Sequence, residues 1–117
     1  SHVAADQIAS FKTLFPLLAP DGVYIIEDLH AAYCQEFGGG IGREDTIVSF
    51  AKDLIDDLHG WYHQASPKSL SSAREQIGRI AFYDSIVAIR KTLREPPQLV
   101  SAGDPGRRIR ESGDSGQ

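Results

Sequence analysis

Gly22-Val23-Tyr24-Ile25-Ile26-Glu27-Asp28 decides how the rest of the chain is read. Four apolar residues follow a glycine. They read as a short strand buried on both faces, as in a parallel sheet. The strand ends in two adjacent carboxylates, Glu27 and Asp28, which are costly in a core unless paired or bound to a metal. In an open α/β sheet the carboxyl end of a strand is where ligands bind. His30 and Tyr33 follow at once, so an imidazole and a phenol stand close by.

Outward from this strand the chain reads as helical on both sides. Upstream, Ile8, Phe11, Leu14, Phe15 and Leu18 form one apolar stripe, which predicts a helix over 3–18. Pro16 does not suit a helix interior, so the helix is expected to end or bend near Leu14. Ala19-Pro20-Asp21-Gly22 is a turn signal. Downstream, 33–45 reads as a glycine-rich loop, permissive and mobile, either an active-site lid or a surface loop. It lacks the lysine and Ser/Thr of a phosphate-binding loop. Asp45 or Thr46 can cap the next helix. Ile47, Phe50, Ala51, Leu54, Leu58, Trp61 and Tyr62 keep helical spacing, with Asp45, Lys52, Asp53, Asp56, Asp57 and His59 directed to solvent. Trp61-Tyr62-His63 is expected to close the core. After a polar connection over 66–72, the run IGRIAFYDSIVAIRK reads as a hairpin turning at Tyr83-Asp84-Ser85. From Glu95 onward prolines, glycines and arginines mark a disordered tail. Residues 1–94 are therefore read as part of one α/β domain and 95–117 as the tail. Three strands cannot cover both sheet faces with these helices, so earlier strands are expected outside this sequence.

Composition narrows the function. With 117 residues the chain suffices for one small domain, and its net charge of -4 gives no footprint for a nucleic-acid partner. No apolar run is long enough to span a bilayer, and no secretory leader opens the chain. A single cysteine, Cys34, fits a reducing, cytoplasmic setting. The chain contains no methionine and opens directly into helical periodicity, as a piece of a larger protein would.

Within a regular strand Glu27 and Asp28 would face opposite sides. At the strand end the backbone can turn and let both address one hard cation such as magnesium. A cap or an ion-paired surface is the structural alternative. Two ligands are few, and Asp6 is the nearest further carboxylate in the sequence. His2 could act as a general base near neutral pH, and His30 competes for that role. Cys34 has no local partner that would mark a nucleophile.

Ser1-His2, FKTLFPLLAPDGVYIIEDLHAAY, EFGGG, FAKDLIDDLHGWYH and IAFYDSIVAIRK together resemble one family. They are similar to the carboxyl-terminal part of class I S-adenosylmethionine-dependent, magnesium-dependent sugar O-methyltransferases of the macrocin and mycinamicin type. The resemblance spans about Ser1 to Lys91. It implies the second half of a Rossmann-like methyltransferase sheet: helix, strand, helix, then an antiparallel strand pair. It implies Glu27 and Asp28 as magnesium ligands, with an aspartate just upstream of Ser1 as the third ligand in place of Asp6. It implies His2 as the general base, and His30 and Tyr33 as contacts to a small hydroxyl acceptor, such as a glycosylated natural product. The glycine-rich turn that holds S-adenosylmethionine in the family has no counterpart here, so this segment alone is expected to be inactive. The competing reading is a non-catalytic methyltransferase-like module whose open sheet edge serves self-association or partner binding, as a homo-oligomer for example.

Overall fold

The structure, a computed structural model, describes residues 2–98, and of His2 the backbone alone. Helix α1 spans His2–Leu14 and passes into a tighter 3-10 turn at Phe15–Leu17, with Pro16 inside that turn. The change of helix type is where the proline requires it, since its missing N–H and its ring cannot be accommodated deeper in an α-helix. Strand β1 is Val23–Ile26, helix α2 is Ile47–Leu58, a single turn α3 is Ala73–Gln76, and β2 (Ile77–Tyr83) and β3 (Ile86–Lys91) form the hairpin. Ser85 takes a left-handed conformation (φ 66) at the hairpin turn.

The sheet has the order β1-β3-β2, and β3 runs antiparallel to both neighbours. β1 and β2 are therefore parallel to each other with a reversed strand between them. This is the mixed α/β arrangement expected from the sequence: helix, strand, helix, then an antiparallel strand pair. Tyr24 and Ile26 of β1 face the same side as their partners Ile89 and Val87 of β3. That face meets α1 and α2 in one core containing Phe11, Phe15, Phe50 and Leu54. Phe11 stacks on Phe15 at 4.8 Å between ring centroids and meets Tyr24 and Phe50 edge-on, the arrangement favoured by aromatic quadrupoles.

Three expectations need correction. Among the described residues β1 is not buried on both faces and has no parallel partner: Val23 and Ile25 are exposed, Ile25 by 56%. A continuous apolar run cannot distinguish a doubly covered strand from one whose second face is left open in this chain. Asp57 does not face solvent but is 2% exposed. Its carboxylate accepts from the backbone N–H groups of Lys68 (2.7 Å) and Ser69 (2.8 Å) and from the Ser69 hydroxyl, so α2 holds the returning connection. Helical spacing alone placed it outside, because the loop that covers it comes later in the chain. The 33–45 loop is also more constrained than its glycines imply. Gly38, Gly39 and Gly40 each donate a backbone hydrogen bond of 2.9 Å to residues 32–35, and a Cβ on Gly39 would collide with the Ala32 carbonyl. The expected tail lies largely outside the described residues; 95–98 carry no regular structure.

Trp61 does help to close one end. Its indole N–H donates to the Arg74 carbonyl (3.0 Å), and the Arg74 guanidinium lies 4.0 Å from the ring centroid. Tyr62 beside it is exposed. At the other end of the sheet Lys91 is buried, and its Nζ donates to the Pro16 and Leu18 carbonyls at 2.7 Å each. These carbonyls end the 3-10 turn and have no further helical N–H to accept from. Lys91→Met should therefore destabilise the fold by about 1–3 kcal/mol, the usual cost of orphaned buried acceptors. Urea unfolding would show it as a lower midpoint at unchanged slope.

Candidate metal and acceptor site

β1 ends at Ile26, so Glu27 and Asp28 lie just past the last paired residue. Asp28 adopts a left-handed conformation (φ 59), and the chain then enters a 3-10 turn at Leu29–Tyr33. The strand alternation that would separate the two side chains no longer applies here. Both residues line one cavity of about 380 Å³, bordered also by Val3 and Ala4 of α1, Phe37 and Asp45. Both are exposed, and among the described residues neither carboxylate has a hydrogen-bond or ion-pair partner. The cap and ion-pair alternatives therefore find no partner here, and two free oxygen-donor groups on one cavity suit a hard cation.

Among the described residues no third histidine, cysteine or carboxylate completes a metal-ligating cluster. Asp45 lines the same cavity but is engaged elsewhere. The Arg43 guanidinium forms a bidentate contact with it at 3.0 and 2.8 Å. Thr46, not Asp45, caps α2: its hydroxyl accepts from the Ser49 N–H at 3.1 Å. Asp6, the further carboxylate in the sequence, is exposed on α1 and does not line the cavity. His2 heads α1, whose next residues Val3 and Ala4 reach the cavity, but its side chain lies outside the described part.

His30 and Tyr33 fall elsewhere. The 3-10 turn directs Ala31 and Ala32 to the carboxylate cavity, while His30 and Tyr33 line a second cavity of about 490 Å³ against the hairpin tip. There the His30 imidazole Nδ1 lies 2.6 Å from the Ser85 hydroxyl, which also accepts from the His30 backbone N–H at 3.2 Å. The sequence marks Ser85 only as a turn residue. Its contact to a residue 55 positions away has no local signal in the sequence.

No protein-family model matches the chain. It is 32% identical over 93 residues to an 8-demethyl-8-alpha-L-rhamnosyl tetracenomycin-C 2'-O-methyltransferase of Streptomyces olivaceus, covering 78% of this chain and 25% of the relative. It is 35% identical over 95 residues to demethylmacrocin O-methyltransferase of Streptomyces fradiae, covering 78% and 24%. The chain is homologous to the carboxyl-terminal part of the macrocin, mycinamicin and tetracenomycin sugar O-methyltransferases. Solved structures of the MycE methyltransferase from mycinamycin biosynthesis superpose on it. One, with Mg, SAH and mycinamycin VI, gives a TM-score of 0.68 at 30% identity over 80% of this chain and 24% of MycE. Another, with Mg and SAH, gives 0.72 at 28% identity over 96% and 29%. The chain thus spans about a quarter of the length of these relatives. No helix among the described residues is long and apolar enough to cross a membrane.

The Arg43 contact holds the Asp45 carboxyl down at about 2, from an ordinary 3.8. A depressed carboxyl stabilises the clasp above its unfolded value, and that contribution is lost as pH falls through about 2. In a carbon-detected NMR titration, Asp45 should have its midpoint there, and Arg43→Ala should return it toward 3.8.

Proposed function

We propose that the protein carrying this chain is a magnesium- and S-adenosylmethionine-dependent O-methyltransferase, acting on a hydroxyl of a sugar borne by a natural product. The observation that carries this is the pair of unpartnered carboxylates, Glu27 and Asp28, turned onto one cavity at the carboxyl end of β1. MycE, which superposes on the chain, was solved with Mg and SAH, and the relatives are described as methylating sugar-bearing acceptors.

In this reading Glu27 and Asp28 hold the cation, with a further ligand from outside this chain. When bound, magnesium supplies Lewis-acid activation of the acceptor hydroxyl, and S-adenosylmethionine supplies the electrophilic methyl. His2, on the first turn of the helix beside the cavity, receives the hydroxyl proton. Phe37 and the Gly38-Gly39 corner line one wall of the cavity. Residues 1–94 form the carboxyl-terminal half of the catalytic domain. Arg94 supports that boundary, because its guanidinium donates to the Leu58 and Ile77 carbonyls at 2.8 Å each. The cofactor is held by residues outside this chain, so the segment by itself does not turn over. A second reading is favoured by the open edge of β1 and its exposed Val23 and Ile25: a non-catalytic module that pairs with a second copy.

Labelled methyl transfer from S-adenosylmethionine to rhamnosylated polyketide acceptors would test the catalytic reading in the protein carrying this chain. Glu27→Gln and Asp28→Asn should each lower kcat by about 100-fold or more, since a metal contributes several kcal/mol at the transition state. EDTA should abolish transfer, and magnesium should restore it. Full activity of both variants, or transfer indifferent to EDTA, would reject the role of these carboxylates.

A further inference from the structure

Ile26 pairs with Val87 at the last rung of β1. If that antiparallel register ran on, Leu29 would stand opposite Asp84. Its N–H donates instead to the Ser85 carbonyl at 2.9 Å. Glu27 and Asp28 therefore stand together opposite Ile86, and this side carries one residue more than the facing side. An extra residue of this kind bends the chain and re-aims its side chains. Here it turns two consecutive carboxylates onto one cavity.

The carboxylates themselves do not hold the bend. Asp28 sits at φ 59 and ψ 38, and its side chain caps nothing. A non-glycine stays in that region only when its surroundings hold it there. The anchors lie on either side of the pair. Before it stands the Ile26–Val87 rung, and after it Leu29 is buried in the core. The next two backbone N–H groups both go to Ser85. That of Leu29 donates to the carbonyl, and that of His30 donates to the hydroxyl at 3.2 Å. The same hydroxyl lies 2.6 Å from His30 Nδ1. One residue thus makes three contacts with the two residues that follow Asp28.

Ser85 is itself left-handed, at φ 66. Glycine adopts that conformation without the steric cost of a Cβ. A hairpin that required only the turn would be served at least as well by glycine. What serine adds is the hydroxyl, and among the described residues both of its contacts go to His30. Ser85 does not line the carboxylate cavity, so it can act there only through the backbone it holds.

We propose that Ser85 is a positioning residue for the cation site: its hydroxyl fixes the turn after Asp28 and so pre-arranges the Glu27 and Asp28 carboxylates. The proposal rests on the methyl-transfer reading for the cation, and on the Ser85 contacts for the role. Without the hydroxyl the 28–30 segment samples other conformations, and the apparent affinity for the cation falls with the competent fraction.

The test compares Ser85→Gly and Ser85→Ala in the protein carrying this chain. Both remove the hydroxyl and keep the backbone carbonyl, but only glycine relieves the positive φ. Manganese serves as the probe, titrated without S-adenosylmethionine or acceptor and followed by loss of the free-ion EPR signal. Both variants should bind it about 10-fold more weakly, the low end of the range for groups that orient metal ligands. Ser85→Gly should do so at a nearly unchanged thermal midpoint. Backbone amide exchange at Leu29 and His30 should quicken in both metal-free variants. Unchanged manganese affinity in Ser85→Gly, or weakening in Ser85→Ala alone in step with a lower thermal midpoint, would overturn the positioning role and leave the carboxylate site standing. Manganese affinity indifferent to Glu27→Gln would overturn the carboxylate site and this role together.

Discussion

The antiparallel pairing of β1 with β3 is the constraint on which the rest of the structure depends. It joins segments more than sixty residues apart, with Val23 opposite Arg90 and Ile26 opposite Val87. At one end it is continued by hydrogen bonds between Asp21 N–H and the Lys91 carbonyl and between Lys91 N–H and the Gly22 carbonyl. That register delivers the Lys91 ammonium to the carbonyls that end the first helical segment. At the other end the Leu29 N–H donates to the Ser85 carbonyl at 2.9 Å, so the hairpin turn clamps the chain just after the two carboxylates. One pairing therefore holds both the helix end and the candidate site.

The two left-handed residues at the site end, Asp28 and Ser85, fit this account. Each is a non-glycine in a backbone region that most side chains avoid, and each is held there by its surroundings. Asp28 turns the chain so that consecutive carboxylates share a cavity. Ser85 places a hydroxyl against His30. The core is built conventionally from interlocked aromatics, while the polar groups that matter gather where the strands stop.

The division between the two main cavities also follows from local geometry. A 3-10 turn has about three residues per turn, so His30 and Tyr33 project from one side of it and Ala31 and Ala32 can line another. Helix α2 separates the two spaces with its amino-terminal end, capped by Thr46.

The sequence by itself determined the elements that local periodicity and punctuation specify: the helix broken at Pro16, the strand 23–26, the helix opening after Thr46 and the hairpin at Asp84-Ser85. It also marked Glu27 and Asp28 as a candidate pair, because adjacent carboxylates after an apolar run are unusual wherever they fall. Only the tertiary structure decided the burial of Asp57 and Lys91, the open second face of β1, and the separation of His30 and Tyr33 from the carboxylates. Each of those depends on a partner supplied, or left unsupplied, by a distant part of the chain. α3 also escaped the sequence reading, being a single turn too short for periodicity to register. Spacing along a chain reports which residues share a face, but what covers that face is set by the pairing of segments far apart in the sequence.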